Sequence, residues 1–234
     1  MKFTGEQNET WKILFNRQVE NIKKFACEEF ITGFENLKLS GSRIPSLLEI
    51  NRRLMPATGW KAVRTPVRYL SDKQWAKHMA RREFPITNFI RGRKELDFTP
   101  EPDLFHDIFG HLPLLMNPEV AELIEIFSEE YRRADKKKLR RVSQLWWNTV
   151  EFGLIRENRE IKAFGAGLMS SFGEIQKLKP GGAKVVQFSI QRGIQQPRAV
   201  ASFHTEYLVI ESVSELIEDL KGFFAIHGTG GGKK

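Results

Sequence analysis

The sequence predicts a mainly α-helical domain with a few short β-strands, an α+β fold. Apolar residues recur at helical spacing over long stretches, the extended patterns are short, and no internal repeat or linker divides the 234 residues. A chain of this length buries roughly 70% of the surface that its unfolded form exposes, enough for a self-sufficient core. We therefore expect one domain over residues 1–227 and a disordered Gly- and Lys-rich tail over 228–234.

The composition excludes several classes of protein. Lys and Arg number 37 against 29 Asp and Glu, a net charge of +8, and 41% of the residues are apolar, too many for a disordered chain. Cys27, the only cysteine, has no partner for an internal disulfide, and no secretory signal is recognisable, so we expect a cytoplasmic protein. Because no window approaches about eighteen uninterrupted apolar residues, we expect no membrane span.

Two helices are predicted in the first 60 residues. Thr4 and Gln7 form a capping box, and a long amphipathic helix is expected from there until Gly33, the first glycine or proline after Gln7. A second helix opens at Pro45, where proline is tolerated in the first turn, and is expected to end at Pro56.

The middle of the chain alternates extended and helical patterns. Short extended pieces are expected over 58–70, and Ser71 opens another capping box. Asp103 caps a short helix that should end near His111, because Pro113 disfavours helical backbone at the preceding residue.

Helical and extended patterns also alternate in the second half. The expected elements are helices over Pro118–Arg133 and about 142–155, an irregular segment over 165–173, extended pieces over 185–190 and 207–210, and a final helix capped by Ser212.

Three candidate metal ligands fall in two neighbouring helical segments, His106 and His111 in the first and Glu151 in the second. Two imidazoles and one carboxylate suit non-haem iron(II), since they leave three positions open for O2, water and a co-substrate. Residues five apart lie about 140° apart around a regular helix, so the histidines share no single face. Gly110 and Pro113 bracket His111, so the helix can end there and the imidazole can turn back. The spacing alone leaves ordinary capped or buried histidines as the alternative.

Three sequence blocks carry a family resemblance. They are TPEPDLFHDIFGHLPL at 99–114, WWNTVEFGL at 146–154 and GAGLMSSFGE at 165–174. In this order they closely resemble the tetrahydrobiopterin-dependent aromatic amino acid hydroxylases, and the resemblance covers nearly the whole chain. It is greatest to the short bacterial members that act on phenylalanine and consist of the catalytic domain alone, which implies a monomer.

The resemblance implies a role for each matching residue. It makes His106, His111 and Glu151 the iron ligands and Arg91 the group that holds the substrate carboxylate, a role that suits a planar guanidinium. The other implied positions are Thr99, Pro102, Trp147, Ser170 and Val200 at the substrate, and Asp107, Leu70 and Trp75 at the pterin. The implied reaction is a monooxygenation in which tetrahydropterin, the co-substrate, supplies two electrons and O2 gives one atom to the pterin and one to the aromatic ring.

Within the family, two positions favour phenylalanine as the substrate. Trp147 stands where tryptophan hydroxylases carry a phenylalanine, and Val200 stands where tyrosine hydroxylases carry an aspartate. The alternative is the same chemistry on tryptophan or tyrosine, because the stretch 198–204 departs from the bacterial pattern. Trp146 replaces a common tyrosine, which is expected to remove a polar neighbour of the iron site and to weaken the coupling of pterin oxidation to product.

Two other functional classes deserve a test. A nucleic-acid-binding module is suggested by a basic run, although a solvated connection between helices explains it more simply because interleaved aromatic residues are lacking. The run comprises Arg132, Arg133, Lys136, Lys137, Lys138, Arg140 and Arg141. Zinc hydrolysis would use the same three ligands, but the i, i+4 histidine pair with an adjacent glutamate is missing. His78 and His204 have no evident partner and are interpreted as surface or structural residues.

Overall fold

Helices make up most of the chain, as the apolar periodicity predicts. A computed structural model describes residues 3–68, 70–97, 99–200 and 202–228. Its α-helices are α1 Gly5–Phe25, α2 Glu28–Leu37, α3 Leu47–Thr58, α4 Asp72–Met79, α5 Leu112–Leu115, α6 Pro118–Arg133, α7 Lys136–Trp146, α8 Ala166–Ser170, α9 Phe172–Ile175, α10 Ile190–Gln195 and α11 Val213–Gly228. Two π-helical turns, His106–His111 and Trp147–Glu151, join this set. The remainder of the expected tail lies outside the described residues.

The strands form two small sheets. They are β1 Lys61–Arg64, β2 Glu83–Ile86, β3 Leu154–Glu157, β4 Glu160–Ala163, β5 Lys184–Gln187 and β6 Glu206–Ile210. β1 pairs with β2 in parallel, and the second sheet has the order β4-β3-β6-β5, with β3 and β4 antiparallel and the other pairs parallel. The mainly α prediction with a few short strands is confirmed, and β1, β5 and β6 fall where extended pieces were expected.

The first long helix is broken, contrary to the prediction. α1 ends before Ala26, which forms a β-bridge with Ala163, and the Cys27 N–H donates to the Ala163 carbonyl at 2.9 Å. α2 then continues through Gly33, where a side chain would collide with the backbone of Pro113. Two different long-range contacts therefore explain the break at Ala26 and the glycine at position 33, and neither follows from local spacing.

Prolines end fewer helices than expected. Pro56 lies within the last turn of α3, which ends at Gly59 in the left-handed conformation with φ 76°. Pro113 occupies the first turn of the short helix α5. The helical path therefore continues past His111 instead of ending there.

The basic run is largely helical. Asp135 caps α7 by accepting a hydrogen bond from the Lys138 N–H at 2.8 Å, so the helix begins at Lys136 rather than near residue 142. It passes at Trp146 into the π-helical turn and does not reach residue 155, which belongs to β3.

Aromatic rings fill the core beneath the two π-helical turns. Phe105 and Phe109 stack with centroids 4.7 Å apart, and Trp11 meets Phe105 edge-on at 5.3 Å. All three are completely buried, so the backbone that carries the candidate ligands rests on a rigid apolar base. Among the described residues, no helix combines the length and apolarity needed to cross a membrane.

Candidate metal centre

The π-helical turn His106–His111 solves the spacing problem of the two histidines. Hydrogen bonds in a π-helix join residues five apart, so these residues lie on the same face of the turn. The two Nε2 atoms are accordingly 3.0 Å apart. Gly110 permits this packing, since a Cβ there would lie 2.6 Å from the Ala166 carbonyl oxygen of α8.

Glu151 completes the donor set from the end of the second π-helical turn. Its Oε2 is 3.4 Å from His106 Nε2, and its Oε1 is 3.2 Å from His111 Nε2. All three ligand atoms lie within 4.8 Å of one another. Ligands on adjacent vertices of an octahedral ion, with bonds of about 2.1 Å, stand about 3 Å apart. The three residues therefore fit one divalent metal ion.

Hydrogen bonds orient His106 toward the metal position. The Ser170 hydroxyl donates to the Ala166 carbonyl at 2.9 Å, so its oxygen accepts the proton that His106 carries on Nδ1, at 2.9 Å. Burial lowers the pKa of His106 to about 4, which keeps the imidazole neutral with a free lone pair on Nε2. His111 Nδ1 is buried and has no hydrogen-bond partner within the described part of the chain.

Trp146 gives the metal ligands a polar neighbour, although the replacement of tyrosine at this position was expected to remove one. Its indole N–H donates to Glu151 Oε1 at 2.7 Å. Burial alone would raise the pKa of Glu151, but His111, His106 and this N–H hold it at about 2, so the carboxylate is ionised. Trp75 meets the Trp146 ring edge-on at 5.3 Å and helps to fix it. The prediction that this position has lost its polar group is therefore wrong.

The larger of two cavities at the donor set measures about 360 Å³. It is lined by all three residues predicted for the pterin, Leu70, Trp75 and Asp107, together with the three ligands. The Asp107 carboxylate accepts a hydrogen bond from the Thr87 N–H at 2.7 Å, and burial raises its pKa to about 7.

The smaller cavity measures about 280 Å³ and contains all the residues predicted for the substrate. Its lining includes Arg91, Thr99, Pro102, Trp147, Ser170 and Val200. His106, Glu151, Trp147, Pro102 and Arg198 line both cavities, so the donor set stands at their junction.

Arg91 is held by a partner that the sequence indicated only as a helix cap. Asp103 accepts from Arg91 Nε at 2.9 Å, from Nη2 at 2.8 Å and from the backbone N–H at 2.7 Å. Both side chains are at most 1% exposed. Burial disfavours ionisation of Asp103, yet Arg91 keeps its pKa below the usual value. Nη1 donates to the Ser170 carbonyl at 3.3 Å, which leaves one hydrogen on each terminal nitrogen of Arg91 for a ligand.

Of the two roles expected for His204, surface or structural, the second is correct, but its contacts were not predicted. This side chain is 3% exposed, accepts from Trp147 Nε1 at 3.1 Å and lies 2.8 Å from Glu174 Oε1, so it is not a surface residue. The contacts cross more than 25 positions of sequence and left no local signal. His78 has a structural partner, as its Nδ1 lies 2.8 Å from Glu83 Oε2.

Part of the basic run is neutralised within the molecule. Arg132 and Arg133 both pair with Glu129, and Lys138 pairs with Glu130 at 2.6 Å. The run spans the end of α6 and the start of α7 rather than an extended connection.

A helical scaffold with two histidines and one carboxylate between two cavities defines a mononuclear metal enzyme that binds two organic partners. The sequence agrees, because residues 1–227 match the model of the biopterin-dependent aromatic amino acid hydroxylases, and the chain belongs to this family. Membership assigns the donor set to oxygenase chemistry rather than to the hydrolytic zinc site considered above.

Bacterial relatives extend the similarity over nearly the whole chain. A phenylalanine-4-hydroxylase of Chromobacterium violaceum is 36% identical over 226 residues, 96% of this chain and 76% of the relative, and one of Caulobacter vibrioides is 36% identical over 96% and 77%. A crystal structure of the C. violaceum enzyme with iron(III) and 7,8-dihydrobiopterin superposes with a TM-score of 0.89, at 34% identity over 98% of this chain and 84% of that one. The apo phenylalanine hydroxylase of Colwellia psychrerythraea gives a TM-score of 0.90, at 30% identity over 100% and 92%.

Proposed function

We propose that this protein converts L-phenylalanine to L-tyrosine with iron(II), O2 and a tetrahydropterin. The observation that carries the proposal is the donor set of His106, His111 and Glu151 at the junction of two cavities. When bound, tetrahydropterin would supply two electrons and iron(II) would activate O2, so that one oxygen atom goes to the pterin and the other to the substrate ring.

Around the metal position, outer residues keep the ligands in a binding-competent state. Ser170 holds the proton of His106 on Nδ1, away from the metal, and the Trp146 N–H fixes the carboxylate of Glu151. Such partners set ligand orientation and basicity, and their loss typically weakens metal affinity by about 10- to 100-fold.

The smaller cavity suits an aromatic amino acid. The free hydrogens of Arg91 can bind the α-carboxylate, and Asp103 keeps the guanidinium in place. Trp147, Pro102 and Val200 give the aromatic ring apolar walls that exclude water from the reacting atoms. The bulk of Trp147 and the absence of charge at Val200 favour phenylalanine over tryptophan and tyrosine.

The larger cavity suits the pterin. Trp75 and Leu70 offer apolar surface for a planar ring, and Asp107, with its pKa near 7, can accept or donate a hydrogen bond to the ring nitrogens. We further propose a cytoplasmic monomer, as the resemblance to the short bacterial members implies. Light scattering during gel filtration tests the monomer, and a mass of two or more chains would contradict it.

The test is a panel of phenylalanine, tyrosine and tryptophan, each incubated with iron(II), tetrahydropterin and O2. We expect tyrosine from phenylalanine as the fastest reaction, and no product when pterin or iron is withheld. A faster reaction with tryptophan would overturn the substrate, and no hydroxylation of any of the three would overturn the proposed function.

A further inference from the structure

A buried chain of polar groups leads from the wall of the smaller cavity into β6. The Trp147 indole N–H donates to His204 Nε2 at 3.1 Å, His204 Nδ1 lies 2.8 Å from Glu174 Oε1, and the Tyr207 hydroxyl donates to Glu174 Oε2. His204, Glu174 and Tyr207 are 3%, 1% and 1% exposed. The orientation of Trp147 is thus linked to groups that have no contact with bulk water.

The chemistry of the groups leaves one arrangement of protons. An indole N–H only donates, so His204 Nε2 must accept and its imidazole must be neutral, with the proton on Nδ1. That proton is donated to Glu174, whose carboxylate also accepts from the His204 backbone N–H at 3.2 Å. Burial, and then the negative charge of Glu174, raise the pKa of Tyr207 far above its usual value, so its hydroxyl stays a donor.

Packing restricts the Trp147 ring as well. Phe152 packs against both partners, with its ring centroid 4.8 Å from that of Trp147 and 4.2 Å from that of His204. The Arg198 guanidinium stands 5.6 Å from the centre of the Trp147 ring. The Trp147 indole can rotate only if it loses the hydrogen bond to His204 and displaces Phe152. Trp147 and Phe152 both line the smaller cavity.

We propose that His204 is a positioning residue that fixes the indole of Trp147 through Nε2 and so sets the shape of the cavity that receives the aromatic ring. The inference rests on the proposed function, because it concerns the choice among aromatic amino acids. His204 closes the stretch 198–204, where the sequence departs from the bacterial pattern of the family. Selectivity then depends on the His204–Glu174 pair as well as on the bulk of Trp147.

Two substitutions of His204 distinguish the contributions of its two ring nitrogens. His204→Asn retains an amide N–H near the position of Nδ1 for Glu174 but removes the acceptor for Trp147. His204→Gln places an amide oxygen near the position of Nε2. The matched control is His78→Asn, which alters another histidine whose Nδ1 lies 2.8 Å from a glutamate oxygen, outside both cavities.

The first readout is selectivity, measured as kcat/KM for phenylalanine relative to tryptophan. We expect His204→Asn to lower this ratio by about three- to tenfold, mainly through a higher KM for phenylalanine, because one hydrogen bond is lost. His204→Gln should restore most of it, and His78→Asn should leave it unchanged. In a Trp147→Phe background, His204→Asn should have no further effect. An equal effect in both backgrounds would overturn the proposal.

The second readout needs no turnover. In the nitrogen-15 spectrum of the protein without added metal, the Trp147 indole signal, assigned with Trp147→Phe, should move in His204→Asn and stay in His204→Gln. Long-range correlations in the wild-type protein should show His204 with its proton on Nδ1, a measurement that holds even if a variant fails to fold. A proton on Nε2 would overturn the inference, whereas normal indole signals in a protein without hydroxylase activity would overturn only the proposed function.

Discussion

The buried ion pair between Arg91 and Asp103 gives the sharpest test of the smaller cavity as the proposed substrate site. Asp103→Ala removes the acceptor of three hydrogen bonds from Arg91 and one from the His106 N–H at 3.0 Å. The guanidinium would remain as a buried charge without its counterion. Breaking a buried pair from one side costs about 3–5 kcal/mol of unfolding free energy.

Urea unfolding measures this loss directly. With a slope of about 3 kcal/mol per molar urea, the midpoint should fall by about 1–1.7 M. The matched control is Glu211→Ala, which breaks the exposed pair with Arg156 at 3.1 Å and should cost about 0–1 kcal/mol. If Asp103→Ala lost no more stability than Glu211→Ala, the argument from burial would be refuted.

The conservative variant separates stability from binding. Asp103→Asn keeps the volume but turns an amide N–H toward one of the Arg91 donors, so the guanidinium should lose its fixed orientation. We expect at least a tenfold higher KM for phenylalanine, corresponding to about 1.4 kcal/mol, with a smaller change in kcat. An unchanged KM would contradict the role of Arg91 in binding the carboxylate.

Three further predictions concern the metal and the charges. His111→Ala should abolish iron(II) binding, measured by metal analysis after dialysis, while the circular dichroism spectrum stays close to that of the wild type; retained iron would contradict the ligand set. Trp146→Phe should weaken iron(II) affinity about tenfold and raise the peroxide released per tyrosine formed, because Glu151 loses its N–H donor. Unchanged affinity would show that the hydrogen bond does not orient the carboxylate. Hydrogen bonds from Arg43 first, and then from the Ser46 N–H, hold the pKa of Glu49 at about 2, below the usual 4.5, so this carboxylate stabilises the fold above pH 4.5 and loses its effect as the pH falls. Glu49→Gln should therefore cost about 0.5 kcal/mol at pH 7 in urea unfolding, with the difference shrinking below about pH 4.5; a constant difference would refute this.

Local chemistry explains why several helix starts could be predicted. Thr4 and Ser71 each accept from a backbone N–H three residues on, and Ser212 does the same at the start of α11, as their capping sequences indicate. Such signals involve only a few neighbouring residues and are legible without tertiary structure.

Tertiary contacts explain most of the errors. The break at Ala26 depends on Ala163, far away in sequence, and the strand β3 replaces the end of a helix that periodicity alone had extended to residue 155. Proline rules misplaced two helix ends because the rules forbid the helix interior, whereas Pro113 lies in a first turn and Pro56 in a last one.

The candidate site, too, was predicted from the sequence only in part. His106, His111 and Glu151 were candidate ligands by residue type, and the family resemblance made them the iron ligands. The spacing alone left an ordinary structural role open, since α-helical geometry separates the two histidines. A π-helical turn removes that obstacle, but no simple sequence rule predicts one. The contacts of His204 were not predicted because its partners lie 30 and 57 positions away.

The central claim is that the protein inserts one atom of O2 into phenylalanine at this three-residue metal site. The most direct measurement is mass spectrometry of the tyrosine formed under ¹⁸O2 by the iron(II)-loaded protein with tetrahydropterin. We predict tyrosine that carries one ¹⁸O atom, and none formed by His111→Ala under the same conditions. Tyrosine without the label, or no tyrosine from the wild-type protein, would contradict the account.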